Sequence, residues 1–450
     1  MIKKFLCASS FVLTVAFAAH AQTSLPEPTP TPVKVVITNS IPPVRNIPAP
    51  APKPVRDRVV VGETDVESGP AASDAKPIVV GSAPRDGITT VGKPTPAAVE
   101  PIAEAPLATS GAMAFGTMKS RIAEAKRYMQ SRPLATAISE GTVPTDFVRV
   151  AFEDRRTKTL DYVVMSKDSF LSTASDKALT SQNGRQLRVR TIRGNGVNTP
   201  LVIFDDESGL THQPLLVQYP VVRNGRYMET AYYMSTHPGL VTPEVVTAGR
   251  YYVRNVIEIA RDRLKEKGVT IQPKVADIAE RLAAVEHVDH DRFRREPHQN
   301  IYNDIYTLFA LNEGQTYRYS VSSAGAGGMV QMIPSTYRMV RSWQPNVPLD
   351  PDFVEGMRNH VNAAQAMLIY MQRTWNDLRS SPTVSSALLS GIATPEQLMA
   401  AGYNSNPAKL PGYISRGGSN WTSLIPRETK IYLQIFDSIE KHVPMQARTR

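Results

Sequence analysis

Nearly half of the 36 prolines in this chain of 450 residues fall between Gln22 and Ser110, and that clustering limits where a packed domain can form. Runs such as Pro26-Glu27-Pro28-Thr29-Pro30-Thr31-Pro32 and Ile47-Pro48-Ala49-Pro50-Ala51-Pro52 have few backbone donors and almost no aromatics. They cannot bury enough apolar surface to offset the entropy of ordering the chain. The composition predicts a disordered, partly polyproline tail over 22–115, with a reach on the order of 50 Å as a flexible coil. Such a tail is either a passive spacer or the contact for a protein partner in the cell envelope.

Ahead of the tail, Lys3 and Lys4 precede an apolar run from Phe5 to Ala19, and Ala19-His20-Ala21 fits the small-x-small site of signal peptidase. As a helix that run would span roughly 22 Å against a hydrocarbon core of about 30 Å, so 1–21 reads as a cleavable signal peptide and not as an anchor. The chain is expected to be exported to the periplasm. Its single cysteine, Cys7, lies inside the signal, which leaves the mature chain without thiol nucleophiles, cysteine metal sites or disulfides. The formal charge is +10, and removing Lys3 and Lys4 leaves +8 (10 − 2). That sign favours anionic partners such as the cell wall or a membrane surface. No recognition helix, zinc finger or aromatic-basic RNA motif is present, so nucleic acid is not expected as a partner.

The remainder divides by periodicity. A helix is expected at 118–129, then short β-branched and aromatic runs at 147–152, 160–164, 187–190, 201–204, 215–222 and 227–233. Asn183-Gly184 and Arg193-Gly194-Asn195-Gly196 punctuate them as turns. The segment 116–240 therefore reads as a small β-rich domain, a sheet or barrel with a binding or scaffolding role. A helical connector over 241–295 follows, with helices at 243–267, capped by Thr242, and at 274–287. From 296 the chain is helical again, with helices expected at 298–313, 335–343, 363–375, 395–401 and 427–441. The fold class is thus α+β and multidomain.

Two groups of residues invite chemistry. His287-Val288-Asp289-His290-Asp291 has metal-ligand residue types, but no HExxH or comparable helical spacing, and it reads as a solvated helix end; no metal or other cofactor is expected. The second group is Glu313 and the glycine-rich turn after it. Ile301, Ile305 and Phe309 recur every four residues, with Leu308 beside them, so the period carries Glu313 onto the apolar face. A carboxyl there would be partly desolvated, with a raised pKa, and able to protonate a leaving oxygen. The alternative is a helix-terminal Glu that turns back to water.

These residues resemble the catalytic domain of the soluble lytic transglycosylases, the goose-type-lysozyme-like SLT family, in three blocks taken in order. The first is Glu313, Ser322, Gly325-Ala326-Gly327-Gly328-Met329-Val330-Gln331 and Pro334-Ser335-Thr336. The second is Ala401-Gly402-Tyr403-Asn404-Ser405-Asn406, and the third is Pro426-Arg427-Glu428-Thr429-Lys430-Ile431-Tyr432. The resemblance implies an all-α lysozyme-like catalytic domain over 296–445. It implies Glu313 as the sole general acid and base, Tyr403 orienting its carboxyl, and Ser322, Met329, Gln331, Tyr403 and Asn404 lining a glycan groove.

Glycosidases ordinarily need two carboxylates, whereas substrate-assisted cleavage needs one. The implied reaction is attack of the C6 hydroxyl of N-acetylmuramic acid on its own C1, cutting the β-1,4 bond to N-acetylglucosamine in peptidoglycan and leaving a 1,6-anhydro end. A water-using muramidase and a non-catalytic wall-binding scaffold are the competing expectations. Three positions depart from the family pattern: Gly314 stands for Ser, Val330 for Met and Asn406 for Gly.

Overall fold

The computed structural model describes residues 112–132, 134 and 145–449, apart from 224 and 323. The expected signal peptide and nearly all of the Pro-rich tail lie outside the described residues. Within them a near-barrel sheet precedes a helical carboxyl-terminal region.

Helix α1 (Phe115–Ser131) leads into strands β1 (Phe147–Glu153) and β2 (Leu160–Ser166), a short helix α2 (Lys167–Leu171), and strands β3 (Lys177–Thr180), β4 (Gln186–Thr191), β5 (Leu201–Asp205), β6 (Leu210–Arg223) and β7 (Arg226–Tyr233). All pairings are antiparallel, in the order β2-β1-β6-β5-β4-β3, with β7 also on β6. The 14 residues of β6 let it pair with β5 at its start, β1 in its middle and β7 at its end. Register shifts at Ala151/Phe152 and Val221/Val222 are bulges that sharpen the twist. The turn after β3 meets β2 through Gln182 N donating to Tyr162 O at 2.8 Å, which curls the sheet toward closure.

Strand β1 is buried on both faces, which explains why its sequence does not alternate cleanly. Val148, Val150 and Phe152 enter the barrel core with Val163, Leu187, Val189 and Ile203. On the other face Ala151 packs under Met118, Ile122, Ala125 and Met129 of α1. Arg149 is buried there and caps the end of α1, its Nη2 donating to Met129 O and Arg132 O at 2.9 and 2.8 Å.

The helical region runs α3 (Pro243–Glu266), α4 (Pro273–Val285), α5 (His290–Arg295), α6 (His298–Asn312), α7 (Pro334–Trp343), α8 (Phe353–Arg358), α9 (His360–Ser380), α10 (Pro382–Leu389), α11 (Pro395–Asn404), α12 (Leu410–Gly417) and α13 (Arg427–His442). Thr242 caps α3 by accepting from Val245 N, with Pro243 in the first turn. Helix α3 lies tightly on α6: a Cβ at Gly249 would sit 1.8 Å from Tyr306 O, so only glycine permits the approach. One core joins Val253 and Ile257 of α3, Ile278 and Leu282 of α4, Ile301 and Phe309 of α6, Met367 of α9, Leu398 of α11 and Phe436 of α13. The segment 241–295, expected as a connector, therefore packs into the same core as the helices that follow it. After α13 the chain turns back, and Arg448, its side chain buried, pairs with Glu258, Asp277 (2.8 Å) and Glu280 (2.6 Å). Among the described residues no helix is long and apolar enough to cross a membrane.

Candidate functional site

Helix α6 ends at Asn312, and Glu313 leaves the helix with φ +47 and ψ −125. The four-residue period of Ile301, Ile305 and Phe309 holds only while helical dihedrals persist, so this left-handed residue swings out of the apolar row. Its side chain is 53% exposed and pairs with Lys119 Nζ of α1 at 2.6 Å. The expectation of a desolvated Glu313 is therefore corrected: α6 is buried on nearly all sides, and its terminal glutamate faces water. The departure at Gly314 is not forced by packing, since a Cβ there would meet only Tyr252 Oη at 3.9 Å.

Another glutamate has the environment that Glu313 lacks. Helix α4 presents Val275, Ala279, Leu282 and then Glu286 along one row, and Glu286, at φ −60 and ψ −15, still follows the helical path. Its side chain has no solvent exposure. Burial pushes its carboxyl up to about 8; the hydrogen bond from Tyr432 opposes this, and the neighbouring Glu428 charge adds to it. Tyr432 Oη donates to Glu286 Oε1 at 2.5 Å. A carboxyl in this state is protonated at neutral pH.

The residues around this acid come from all three sequence blocks. His287 follows Glu286, and its Nε2 meets Met329 O at 2.9 Å. Burial lowers the His287 imidazole to about 3, so the ring is neutral and donates to that carbonyl. Its ring lies flat on Tyr317, with centroids 3.3 Å apart. Tyr403 Oη donates to Val330 O at 2.7 Å. Tyr403 therefore holds the glycine-rich block instead of orienting Glu313, and Tyr432 is the phenol that grips a carboxyl. Burial, followed by the Glu286 charge, drives both phenols well above their ordinary range. Thr429 lies one turn before Tyr432 on α13 and is likewise fully buried.

The remaining expected groove residues are buried in the structure, not displayed on an open surface. Met329 and Gln331 are 0% and 1% exposed. Gln331 takes φ +46 and turns its Nε2 to Gly328 O. Ser322 braces the loop: its Oγ and carbonyl accept from Ala326 N and Gly325 N. Gly328, at φ +67, lies so close to α8 that a Cβ would stand 2.3 Å from Met357 O. Asn404 ends α11 with both amide atoms buried and unpartnered. Glu286 Oε2, Gln331 Oε1 and Thr429 Oγ1 are also buried without a partner. Buried polar atoms left unpaired cost about 1–3 kcal/mol each, so a concentration of them on the blocks around one acid calls for an explanation.

The His and Asp cluster after Glu286 disperses its side chains. Asp289 caps α5 by accepting from Asp291 N and Arg292 N, while His287 is committed to Met329 and Tyr317. Among the described residues no group of three or more His, Cys, Asp or Glu side chains is arranged to hold a metal. Comparisons with protein-family models, with curated proteins and with solved structures found no match for this chain.

Proposed function

We propose that this chain is an exported, lysozyme-like lytic transglycosylase that cleaves the β-1,4 bond between N-acetylmuramic acid and N-acetylglucosamine, with Glu286 in place of Glu313 as its single acid and base. The observation that carries the reading is the environment of Glu286: a fully buried carboxyl raised to about 8, held by Tyr432, at the point where the three blocks are tied together. A protonated acid is what a leaving glycosidic oxygen requires, and the same group as carboxylate then takes the proton from the attacking C6 hydroxyl. The unpaired atoms of Glu286, Gln331, Asn404 and Thr429 supply donors and acceptors for sugar hydroxyls and N-acetyl groups once the site opens. The partners on this reading are peptidoglycan strands in the periplasm, with the tail or the β-rich domain available to an envelope protein.

A non-catalytic wall binder is the second reading, favoured by the complete closure over Glu286. Incubating the mature chain with purified sacculi and weighing the soluble products separates the possibilities. Anhydromuropeptides, lighter by one water than muramidase products, are expected from the wild type. Glu286→Gln is expected to lose release by roughly 10²- to 10⁴-fold, and Glu313→Gln to stay within a few-fold. Loss in Glu313→Gln alone returns the chemistry to that residue. Reducing ends point to a muramidase, and binding to sacculi without any release establishes the wall binder.

A further inference from the structure

Beside the end of α4, on the side that His287 faces, the near-barrel sheet and the helical region enclose a cleft of about 490 Å³. Its charged lining is four cations, Lys167, Arg193, Arg223 and Arg292, against two carboxylates, Asp289 and Asp304. Most of these charges are already committed. Arg292 is held by Glu296 and by Asp304 at 2.7 and 2.8 Å. Asp289 caps α5, and Lys167 donates to Pro220 O at 2.9 Å while lying over the Tyr219 ring.

Arg193 and Arg223 are different. Neither side chain makes a hydrogen bond, an ion pair or a ring contact among the described residues, although both residues are half-buried. Arg193 lies on the loop between β4 and β5, where burial, and after it the Arg292 charge, work against its own cation, while the more distant Asp304, Glu296 and Asp289 charges favour it without bonding to it. A half-buried guanidinium whose five donors meet no acceptor within hydrogen-bond reach still gains from an anion directly in front of it. Tyr219, Tyr233, Tyr317 and Tyr319 also line the cleft and present broad apolar faces with polar edges.

We propose that this cleft binds an acidic peptide through its carboxylates, with Arg193 as the bidentate anchor and Arg223 as a second cation. Guanidinium forks match carboxylates in geometry as well as charge, and the tyrosine faces suit the methylene and methyl groups of a short peptide. Within peptidoglycan the stem peptide carries those carboxylates. That choice of peptide rests on the glycan-cleaving reading, whereas the carboxylate chemistry rests on the cleft alone. Both the sheet and the helices line the cleft, so the β-rich domain would supply half of a recognition site next to the buried acid.

Calorimetric titration of the mature chain with the tetrapeptide of L-alanine, γ-linked D-glutamate, diaminopimelate and D-alanine tests this without any turnover. The expected result is saturable binding, weakened about 10-fold or more by Arg193→Gln, less by Arg223→Gln, and partly restored by Arg193→Lys. The same peptide with its carboxyls amidated is expected to bind at least 10-fold more weakly. Equal affinity for the acidic and amidated peptides, or wild-type binding by both glutamine variants, overturns the inference. So does saturation by inorganic phosphate that displaces the peptide at lower concentration, which would make this a phosphate site. Loss of the inference with anhydromuropeptide release intact leaves the glycan-cleaving reading standing; peptide binding in a chain that releases nothing does the reverse.

Discussion

Helices α4 and α6 each lead to a glutamate along an apolar row, yet the carboxyl after α4 is sealed in the core and the one after α6 is half in water. The difference lies in one residue's backbone. Glu286 keeps right-handed dihedrals and so stays in the row of Leu282, whereas Glu313 takes φ +47 and leaves the row of Phe309. Partners follow from that turn. Glu286 meets a phenol in a dry interior, and Glu313 meets the Lys119 ammonium at the surface, an arrangement worth no more than about 1 kcal/mol. Hydrophobic period thus predicts burial only up to the last residue that obeys the helix.

The two carboxyls differ most in their response to pH. Because the Glu286 carboxyl lies near 8 in the fold against an ordinary 4.5, its contribution to stability is complete below about pH 4.5 and is lost as the pH rises through about 8. Denaturant titrations across that window are expected to show a loss approaching about 1.4 kcal/mol per pH unit that Glu286→Gln abolishes and Glu313→Gln leaves in place. An unchanged pH profile in Glu286→Gln would show that the carboxyl is solvated after all. Removing the phenol comes next in size: Tyr432→Phe is expected to lower stability by about 1–3 kcal/mol, read as a drop in the denaturant midpoint. Its loss should also carry the Glu286 titration further upward, since the Tyr432 bond is what opposes the burial effect.

At the other helix end the effects should be small. Lys119→Met is expected to cost about 0–1 kcal/mol, and less at high salt, because an exposed pair is screened. Smallest of all, Gly314→Ser should change stability by less than about 0.5 kcal/mol, as its Cβ meets nothing closer than 3.9 Å. A large loss there would mean that the turn after Glu313 is more constrained than its packing implies.

Much of the architecture is visible in the residues themselves. The β-branched runs correspond to β1, β2, β4, β5, β6 and β7, and the long helices appear within a few residues of their expected bounds. Lys177–Thr180 is absent from the expectation because four residues with a single β-branched side chain give no periodic signal. The short helices α2, α5, α8, α10 and α12 escape for the same reason.

The candidate site was harder to read. Tyr403 and Tyr432 do gather near one acid, with the glycine block tied on through Tyr403 and His287, but period alone cannot reveal the left-handed turn that excludes Glu313. Glu286 carried the same signal two helices earlier, in the row Val275, Ala279, Leu282, directly before a His and Asp cluster that looks like a solvated end. Arg193 sits in a turn-like Gly and Asn run, and only the packing of sheet against helices gives its guanidinium a setting.

The returning segment that carries Arg448 bears on how the helical core tolerates change. That guanidinium supplies the counter-charge for Glu258, Asp277 and Glu280, so its loss would leave a nest of mutually repelling acids between α3 and α4. Proteolytic loss of this segment would register as damage to the helical core.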